Sequence, residues 1–253
     1  DLSLIKSDGY NEFTSVLDKY YKFDDKLQNK IADLRSTILS KKDLVYKIAE
    51  LDDLEREITL FHSTIVNKVL SDFKDNVDLI GFHGQTIYHD PDNKVSKQLG
   101  DGKLLSQLTK KIVINNFRQN DLENDGQGAP LTPIFHKTIS QIISHKQNIN
   151  FPITIINIGG ISNATVMFED KKEIHFKAKD IGPGNCLIDE WVKNNSKLRF
   201  DENGNIAKSG KIDELILNQA KENFIISSYE KSLDIKDFDL SFVRGLSLED
   251  GCA

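Results

Sequence analysis

Asn157-Ile-Gly-Gly-Ile-Ser-Asn163 and Asp180-Ile-Gly-Pro-Gly-Asn185 form the stretch that decides the fold. The first half ends a strand-like apolar run, and its paired glycines let backbone N–H groups approach an oxyanion closely because no Cβ intervenes. The second half places Asp180 beside a rigid Gly-Pro-Gly turn, directly before a helical pattern. Two ordinary turns between strands could have a similar sequence. Spacing alone therefore does not distinguish a catalytic arrangement from simple turns.

Composition narrows the class of protein. A chain of 253 residues is long enough for two modest domains or one large one. The net charge of −6 gives no basic footprint for nucleic acid, and no apolar run nears the roughly 18 residues of a membrane span. The two cysteines are far apart and form no Cys-x-x-Cys motif, which predicts a reducing, cytoplasmic setting. The acidic start predicts no signal peptide.

Towards the amino end, two helices are predicted from apolar spacing. One apolar stripe, with intervals of four, three and four, consists of Leu27, Ile31, Leu34 and Ile38. A second stripe consists of Leu51, Leu54, Ile58, Phe61, Ile65 and Val69. His62 lies beside the second stripe and is expected to be a packing or surface residue. Before both helices, Leu2 and Leu4 alternate with polar residues and predict a strand.

Polar side chains follow an apolar run at 77–82, which predicts a buried strand that feeds a loop. Ligands of α/β sheets bind at the carboxyl ends of strands, so His83 and Gln85 are candidates for contacts to a polar substrate. His83 and His89 also raise the question of a metal, but no third ligand lies at a recognisable spacing. Structural histidines are the more common outcome.

A second apolar run, at 112–114, predicts another buried strand and leads to Arg118 and Asp121. These two residues form either a surface ion pair of little energetic value or a pair of ligands for a polar substrate. A glycine-bearing loop follows at 125–130. Pro133 then predicts the start of a helix that runs to about His145.

The second half of the chain begins a new set of strands, so a domain boundary is predicted at 148/149. Three strands are expected at 153–158, 164–168 and 174–178, with a helix after Asn185. A turn-rich stretch at 200–210 and a further helix at 212–220 follow. A last element is expected to begin at 242–248.

Several motifs together resemble one family, the anhydro-N-acetylmuramic acid kinases, in order and in approximate spacing. The six motifs are His83-Gly-Gln-Thr86 with Asp90-Pro91, Gln98-Leu-Gly-Asp101, Phe117-Arg118 with Asp121, Gly126-Gln-Gly-Ala-Pro-Leu131 with Pro133 and Phe135-His136, Asn157 to Asn163, and Asp180 to Asn185 with Asp189 and Trp191. The tail at 237–251 resembles the family too. Each motif alone is weak. Six in order across nearly the whole chain are a strong signal.

The resemblance implies a fold, a reaction and a setting. The implied fold is α/β, with the two domains of sugar kinases and actin-like ATPases and with ATP and sugar in the cleft between them. The implied enzyme uses ATP, water and magnesium (Mg2+) to open 1,6-anhydro-N-acetylmuramic acid and to phosphorylate the released 6-oxygen. The product is N-acetylmuramic acid 6-phosphate, an amino sugar of cytoplasmic peptidoglycan recycling. A homodimer is compatible with the family, whereas nucleic acid and membrane partners are not expected.

Site residues follow from the same resemblance. Asp180 matches the general base that activates the attacking water, and a turn suits a base that must reach its proton with little slack. Nucleotide contacts are implied for Asn157, Gly159, Gly160, Asn163, Gly182, Gly184 and Asn185. Sugar contacts are implied for His83, Gln85, Arg118 and Asp121. The residues that would bind the metal are left unknown.

The chain also departs from the family pattern. The family opens with a strand and a Gly-Thr-Ser-x-Asp-Gly phosphate loop and continues well past Gly251. The expected domains are therefore 1–148, a first kinase domain without its first strand and phosphate loop, and 149–253, an incomplete second domain. Asn116 stands where the family has Asp, and Asp125 stands where it has Gly. Two alternatives to a kinase stay open: an inactive truncated remnant, and a sugar-binding module without transfer chemistry.

Overall fold

The structure is a computed structural model that describes residues 1–224, 233 and 237–253. The strands are β1 Leu2–Ser7, β2 Phe13–Lys19, β3 Leu79–Phe82, β4 Gln85–Asp90, β5 Val95–Leu99, β6 Ile112–Asn115, β7 Ile153–Ile158, β8 Ile161–Asp170 and β9 Glu173–Pro183. The α-helices are α1 Asp25–Thr37, α2 Lys41–Tyr46, α3 Ile48–Asp72, α4 Gly102–Thr109, α5 Phe117–Glu123, α6 Pro133–Gln147, α7 Cys186–Asn195, α8 Asn205–Ser209, α9 Glu214–Phe224 and α10 Leu248–Cys252. This mixture confirms the predicted α/β class.

The chain divides into two compact units. The first consists of Asp1–Ser7 and Thr14–Leu131, and the second consists of Asp8–Phe13 and Thr132–Ala253. Helix α6 groups with the second unit because it packs on β8 and β9. The boundary predicted at 148/149 concerns the two kinase domains and stays a prediction.

The core of the first unit lies where α1 and α3 pack on the hairpin β4–β5. Both predicted apolar stripes are confirmed, since Leu27, Leu34, Leu51 and Ile58 are all buried. Asp24 caps the start of α1, and its carboxylate accepts the Leu27 N–H at 2.7 Å. That bond satisfies one of the donors left free at a helix start.

Strands β3 and β6 pair in parallel, with Leu79 opposite Ile112 and Phe82 opposite Asn115. The prediction that both strands are buried was wrong, because Leu79 is 55% exposed and Ile112 is 65% exposed. In the described part of the chain these strands form a two-stranded sheet. Helix packing covers only one set of alternating side chains there, so the other set faces solvent.

The hairpin of β4 and β5 was not predicted from the sequence. Its strands contain the polar segments Tyr88-His-Asp90 and Ser96-Lys-Gln98. Ile87 and Leu99 are nevertheless buried in the core, and the many polar residues around them obscure the alternation of apolar and polar side chains. Gln85 consequently begins a strand, and the loop expected after the strand at 77–82 consists of only His83 and Gly84. Strand β2 was missed as well.

The second unit contains the antiparallel sheet β7–β8–β9. All three predicted strands are confirmed, and β8 and β9 are longer than expected, with Asp180 inside β9. Helices α7 and α9 are confirmed too, whereas the stretch at 200–210 includes a 3-10 turn, Glu202–Gly204, and helix α8. These short helices were not predicted because the stretch is rich in residues that favour turns.

Candidate active site

Three polar residues form a row across the sheet of the second unit. Asn157 on β7 lies opposite Asn163 on β8, and Asn163 lies opposite Asp180 on β9. Directly paired residues of neighbouring strands project from the same face of a sheet. The fold therefore brings together two predicted nucleotide-binding residues and the predicted general base. The first and last of them, Asn157 and Asp180, are 23 positions apart in the sequence.

A β-bulge adjoins this row. Ser162 pairs with Gly182 and Asn163 pairs with Asp180, so Ile181 is an extra residue on β9. Bulges kink a strand locally and re-aim its side chains, and they occur often beside active sites. Gly182 follows the bulge at φ +149°, with open space where a Cβ would stand.

The Asp180 carboxylate has one backbone donor among the described residues. Its Oδ2 atom accepts the N–H of Leu233 at 2.7 Å. Leu233 packs beside an apolar cluster that contains Cys186, Leu187 and Phe238. The carboxylate is therefore partly enclosed and anchored through its Oδ2 atom, an arrangement that suits a base that must hold its direction.

The Gly159-Gly160 turn is bound to the start of α7. The Gly184 N–H donates to the Gly160 carbonyl at 2.9 Å, and the Asn185 N–H donates to the Gly159 carbonyl at 2.8 Å. Gly184 must be glycine because a Cβ there would overlap the Gly159 carbonyl oxygen. The N–H groups of Gly184 and Asn185 are thus used within the protein, and their contact with a nucleotide stays a prediction.

The turn's own donors point to anion binding. No acceptor within residues 1–224, 233 or 237–253 takes the N–H group of Gly159 or Gly160. Free successive N–H groups in a turn form the kind of concavity that binds phosphate oxygens. The residues present therefore fit a phosphate group.

A depression of about 250 Å³ adjoins the same turn and is lined in part by Gly160, Asn185, Asp189 and Lys193. Burial raises the pKa of the Asp189 carboxyl, and the charge of Lys193 opposes that rise. Asp189 belongs to one of the motifs that resemble the family, but no role was predicted for it. No sequence pattern signalled its burial.

In the first unit, the fold brings His83 and Arg118 into contact. Arg118 Nε donates to His83 Nε2 at 3.0 Å, and His83 Nδ1 lies 2.9 Å from the Gly84 carbonyl. Since Nε2 accepts, this pair of bonds assigns the imidazole proton to Nδ1. Of the two alternatives for Arg118, an ion pair with Asp121 is absent, because the described residues contain no carboxylate oxygen within 4.0 Å of its guanidinium.

Asp121 and Arg118 instead meet at the glycine loop. The Gly128 N–H donates to Asp121 Oδ2 at 2.7 Å, and Arg118 Nη1 donates to the Gly128 carbonyl at 2.9 Å. Gly128 has φ +67°, and a Cβ there would lie 3.0 Å from both His89 Cε1 and Leu122 Cγ. Three of the four predicted sugar residues are therefore linked by hydrogen bonds, and Gln85 begins β4 opposite Leu99 on β5.

His89 is a neighbour of this cluster, and the sequence left it either as a metal ligand or, more commonly, as a structural histidine. Its Nδ1 lies 2.9 Å from Ser96 Oγ, which also accepts from Gln98 Nε2 at 2.8 Å. Burial lowers the pKa of His89, and the charge of Arg118 lowers it further. Within the described part of the chain, no three His, Cys, Asp or Glu residues are grouped so as to hold a metal ion.

Both departures from the family pattern occupy left-handed backbone. Asn116 precedes α5 at φ 62°, and Asp125 opens the glycine loop at φ 66°. Asn and Asp tolerate this conformation better than other residues with a Cβ, and glycine tolerates it best. Asp125 is also within 2.5 Å of Lys94 Nζ, an exposed ion pair.

A family model for anhydro-N-acetylmuramic acid kinase matches residues 1–247. The chain belongs to the anhydro-N-acetylmuramic acid kinase family. The predicted resemblance is thereby confirmed, and the matched region includes both clusters of candidate residues.

Named members of the family are similar along the whole chain. The anhydro-N-acetylmuramic acid kinase of Pelagibacter ubique is 47% identical over 253 residues, which are 99% of this chain and 66% of that protein. Those of Rhodospirillum rubrum and Brucella canis are 32% and 34% identical, with 64% and 67% of their lengths covered. The chain thus spans about two thirds of the length of these curated relatives. Among the described residues, no helix is long and apolar enough to cross a membrane.

Proposed function

We propose that this chain acts in an ATP-dependent kinase that opens and phosphorylates 1,6-anhydro-N-acetylmuramic acid, giving N-acetylmuramic acid 6-phosphate in cytoplasmic cell-wall recycling. The observation that carries the proposal is the cross-strand row of Asn157, Asn163 and Asp180 beside the Gly159-Gly160 turn. A base and an anion-binding turn on one sheet are what water activation and phosphoryl transfer need together. The proposed fold is the two-domain fold of sugar kinases and actin-like ATPases.

Asp180 is the proposed general base. It takes a proton from water while the water oxygen bonds to the anomeric carbon of the sugar. The bond between that carbon and O6 breaks, and O6 leaves with its electron pair. O6 then bonds to the γ-phosphorus of ATP, the bond from that phosphorus to the bridging oxygen breaks, and ADP leaves with the electron pair. The Leu233 N–H holds Asp180 Oδ2 during these steps, so Oδ1 is the atom proposed to meet the water.

The glycine turn is the proposed phosphate site. The free N–H groups of Gly159 and Gly160 bind phosphate oxygens, and Asn157 and Asn163 add amide donors in the adjoining row. Gly182, Gly184 and Asn185 support this surface by shaping the turn. Mg²⁺ bound to phosphates needs only one or two carboxylates, because water and phosphate fill its other positions.

The sugar contacts are proposed for His83, Gln85, Arg118 and Asp121. Three of these residues already form one hydrogen-bonded cluster around Gly128. Sugar hydroxyl, amide and carboxylate groups suit the imidazole, amide and guanidinium donors found there. A homodimer stays a prediction that sedimentation can measure.

The test is to incubate the purified chain with ATP, Mg²⁺ and the anhydro sugar and to measure the 6-phosphate by mass spectrometry. We expect product from the natural chain, and a loss of at least about a hundredfold in rate for Asp180→Asn, since the amide cannot take the proton. Asp170→Asn, the same change at the exposed β8–β9 turn, should retain the rate. Turnover that survives Asp180→Asn contradicts the role of Asp180.

The same experiment separates the two alternatives. Sugar binding without any product would favour a sugar-binding module. Absence of both binding and product would favour an inactive remnant.

A further inference from the structure

Arg118 is a partly buried cation with donors to spare. Burial lowers the pKa of its guanidinium, and no carboxylate of the described residues lies within 4.0 Å. A guanidinium has five N–H donors, and two of them bond to His83 and Gly128. A partly desolvated cation without an acidic partner favours a bound anion.

The position of this guanidinium is fixed from two sides. His83 takes its Nε donor at 3.0 Å, and the Gly128 carbonyl takes an Nη1 donor at 2.9 Å. The remaining donors keep the forked geometry that matches a carboxylate in a bidentate way. Asn116, where the family has Asp, carries no negative charge that could pair with Arg118 instead.

One oxygen of the Asp121 carboxylate is bonded to the glycine loop. Its Oδ2 accepts the Gly128 N–H at 2.7 Å, and its own carbonyl accepts the Gly126 N–H at 2.8 Å. A Cβ on Gly126 would overlap the Asp121 carboxylate, so the loop covers that group closely. Asp121 therefore holds Gly128, and Gly128 holds Arg118.

We propose that Arg118 recognises the carboxylate of the sugar acid, and that Asp121 is a positioning residue that acts on Arg118 through the Gly128 peptide. This inference rests on the proposed function for the class of sugar. It adds a source of specificity, because an otherwise identical sugar without a carboxylate would leave the guanidinium without an anion.

The test is calorimetric titration of the chain with 1,6-anhydro-N-acetylmuramic acid and with its neutral carboxamide, which has the same shape. We expect the acid to bind roughly tenfold to a hundredfold more tightly, the range for a hydrogen bond to a charged group. Arg118→Ala should remove this preference, so that the acid and the carboxamide bind with equal affinity. Arg118→Lys, which keeps the charge without the fork, should retain only part of the preference.

Asp121 variants test the positioning step. Asp121→Asn should keep the preference for the acid, since an amide oxygen still accepts the Gly128 N–H, whereas Asp121→Ala should lose most of it. Equal affinity of the natural chain for acid and carboxamide would overturn the inference, as would a preference that survives Arg118→Ala. Loss of preference in Asp121→Asn equal to that in Asp121→Ala would overturn the role of Asp121.

Binding and turnover are read separately in this design. If the natural chain prefers the acid but forms no phosphate ester, the proposed kinase activity fails and the recognition by Arg118 stands. If it forms the ester from acid and carboxamide with equal sugar KM, the kinase proposal stands and the recognition by Arg118 fails.

Discussion

Gly184 shows how a single backbone position controls the proposed phosphate site. It donates to the Gly160 carbonyl, and a side chain would overlap the Gly159 carbonyl oxygen. This overlap would be with a backbone atom, so no flexible side chain could move away to relieve it. The start of α7 and the glycine turn are therefore bound together as one piece.

Gly184→Ala should lower the free energy of unfolding by about 1–3 kcal/mol, the usual range for overpacking. Gly159→Ala is the matched control, because its Cβ would meet its nearest neighbour at an ordinary 3.7 Å. We expect the control to change stability by less than about 1 kcal/mol. Urea unfolding of both variants checks this, and equal losses would contradict the crowding argument.

His62 is a half-buried histidine among aromatic rings. Its ring centre lies 5.1 Å from that of Phe82 and 5.6 Å from that of Phe61. Burial lowers its pKa, and the hydrogen bond to the Ile58 carbonyl opposes that shift. The expected packing role is consistent with this position beside the α3 stripe.

The lowered pKa predicts a pH dependence of stability. The unfolded chain, with a histidine pKa near 6.5, binds the proton first as pH falls, so His62 favours the folded state above that pH and destabilises it progressively below. His62→Phe should reduce the loss of unfolding free energy between about pH 7 and 5.5 by up to about 1.4 kcal/mol per pH unit. Thr64→Val, a change on the same helix without a titrating group, should keep the natural slope. An unchanged slope in His62→Phe would contradict the prediction.

At the scale of elements, α3 anchors the junction of β5 and α4. Thr59 Oγ1 accepts the Asp101 N–H at 3.0 Å, and Glu55 Oε1 accepts the Gly100 N–H at 3.0 Å and Lys97 Nζ at 2.9 Å. Asp101 in turn begins α4 by accepting the Leu104 N–H. One helix thus satisfies the backbone of a turn more than 40 residues away in sequence.

Thr59→Val keeps the shape of the side chain and removes the acceptor. The Asp101 N–H would then be left without its partner, at a cost of about 1–3 kcal/mol. Thr64→Val, on the exposed side of α3, should cost less than about 0.5 kcal/mol. Chemical denaturation measures both values, and the prediction fails if the two variants lose the same stability.

At the scale of the whole molecule, a bound sugar should stabilise the fold by mass action. The anhydro sugar at about 100 times its dissociation constant should raise the free energy of unfolding by about 2.7 kcal/mol. Arg118→Ala should lose most of this gain, whereas Arg56→Ala, an exposed arginine on α3, should keep it. Thermal unfolding at rising sugar concentration measures the effect. A gain that Arg118→Ala retains in full would contradict it.

Much of the fold was predictable from local pattern. Apolar spacing predicted α1 and α3, and alternation with turn letters predicted β7, β8 and β9, because burial of one face imposes a period on the sequence itself. The hairpin β4–β5 was not predictable in this way, since its strands carry polar residues that bond to each other, such as His89 and Ser96. The exposure of Leu79 and Ile112 was also hidden, because it depends on which neighbours cover them.

The sequence by itself determined the family, the α/β class and the candidate residues, since ordered motifs need no knowledge of distance. Only the tertiary structure decided which candidates meet. Strand register aligned Asn157, Asn163 and Asp180. Arg118 and Asp121 are close in sequence, but in the structure each bonds to Gly128. The physical reason is that hydrogen bonds depend on separations of about 3 Å in space, and the chain order of residues does not specify those separations.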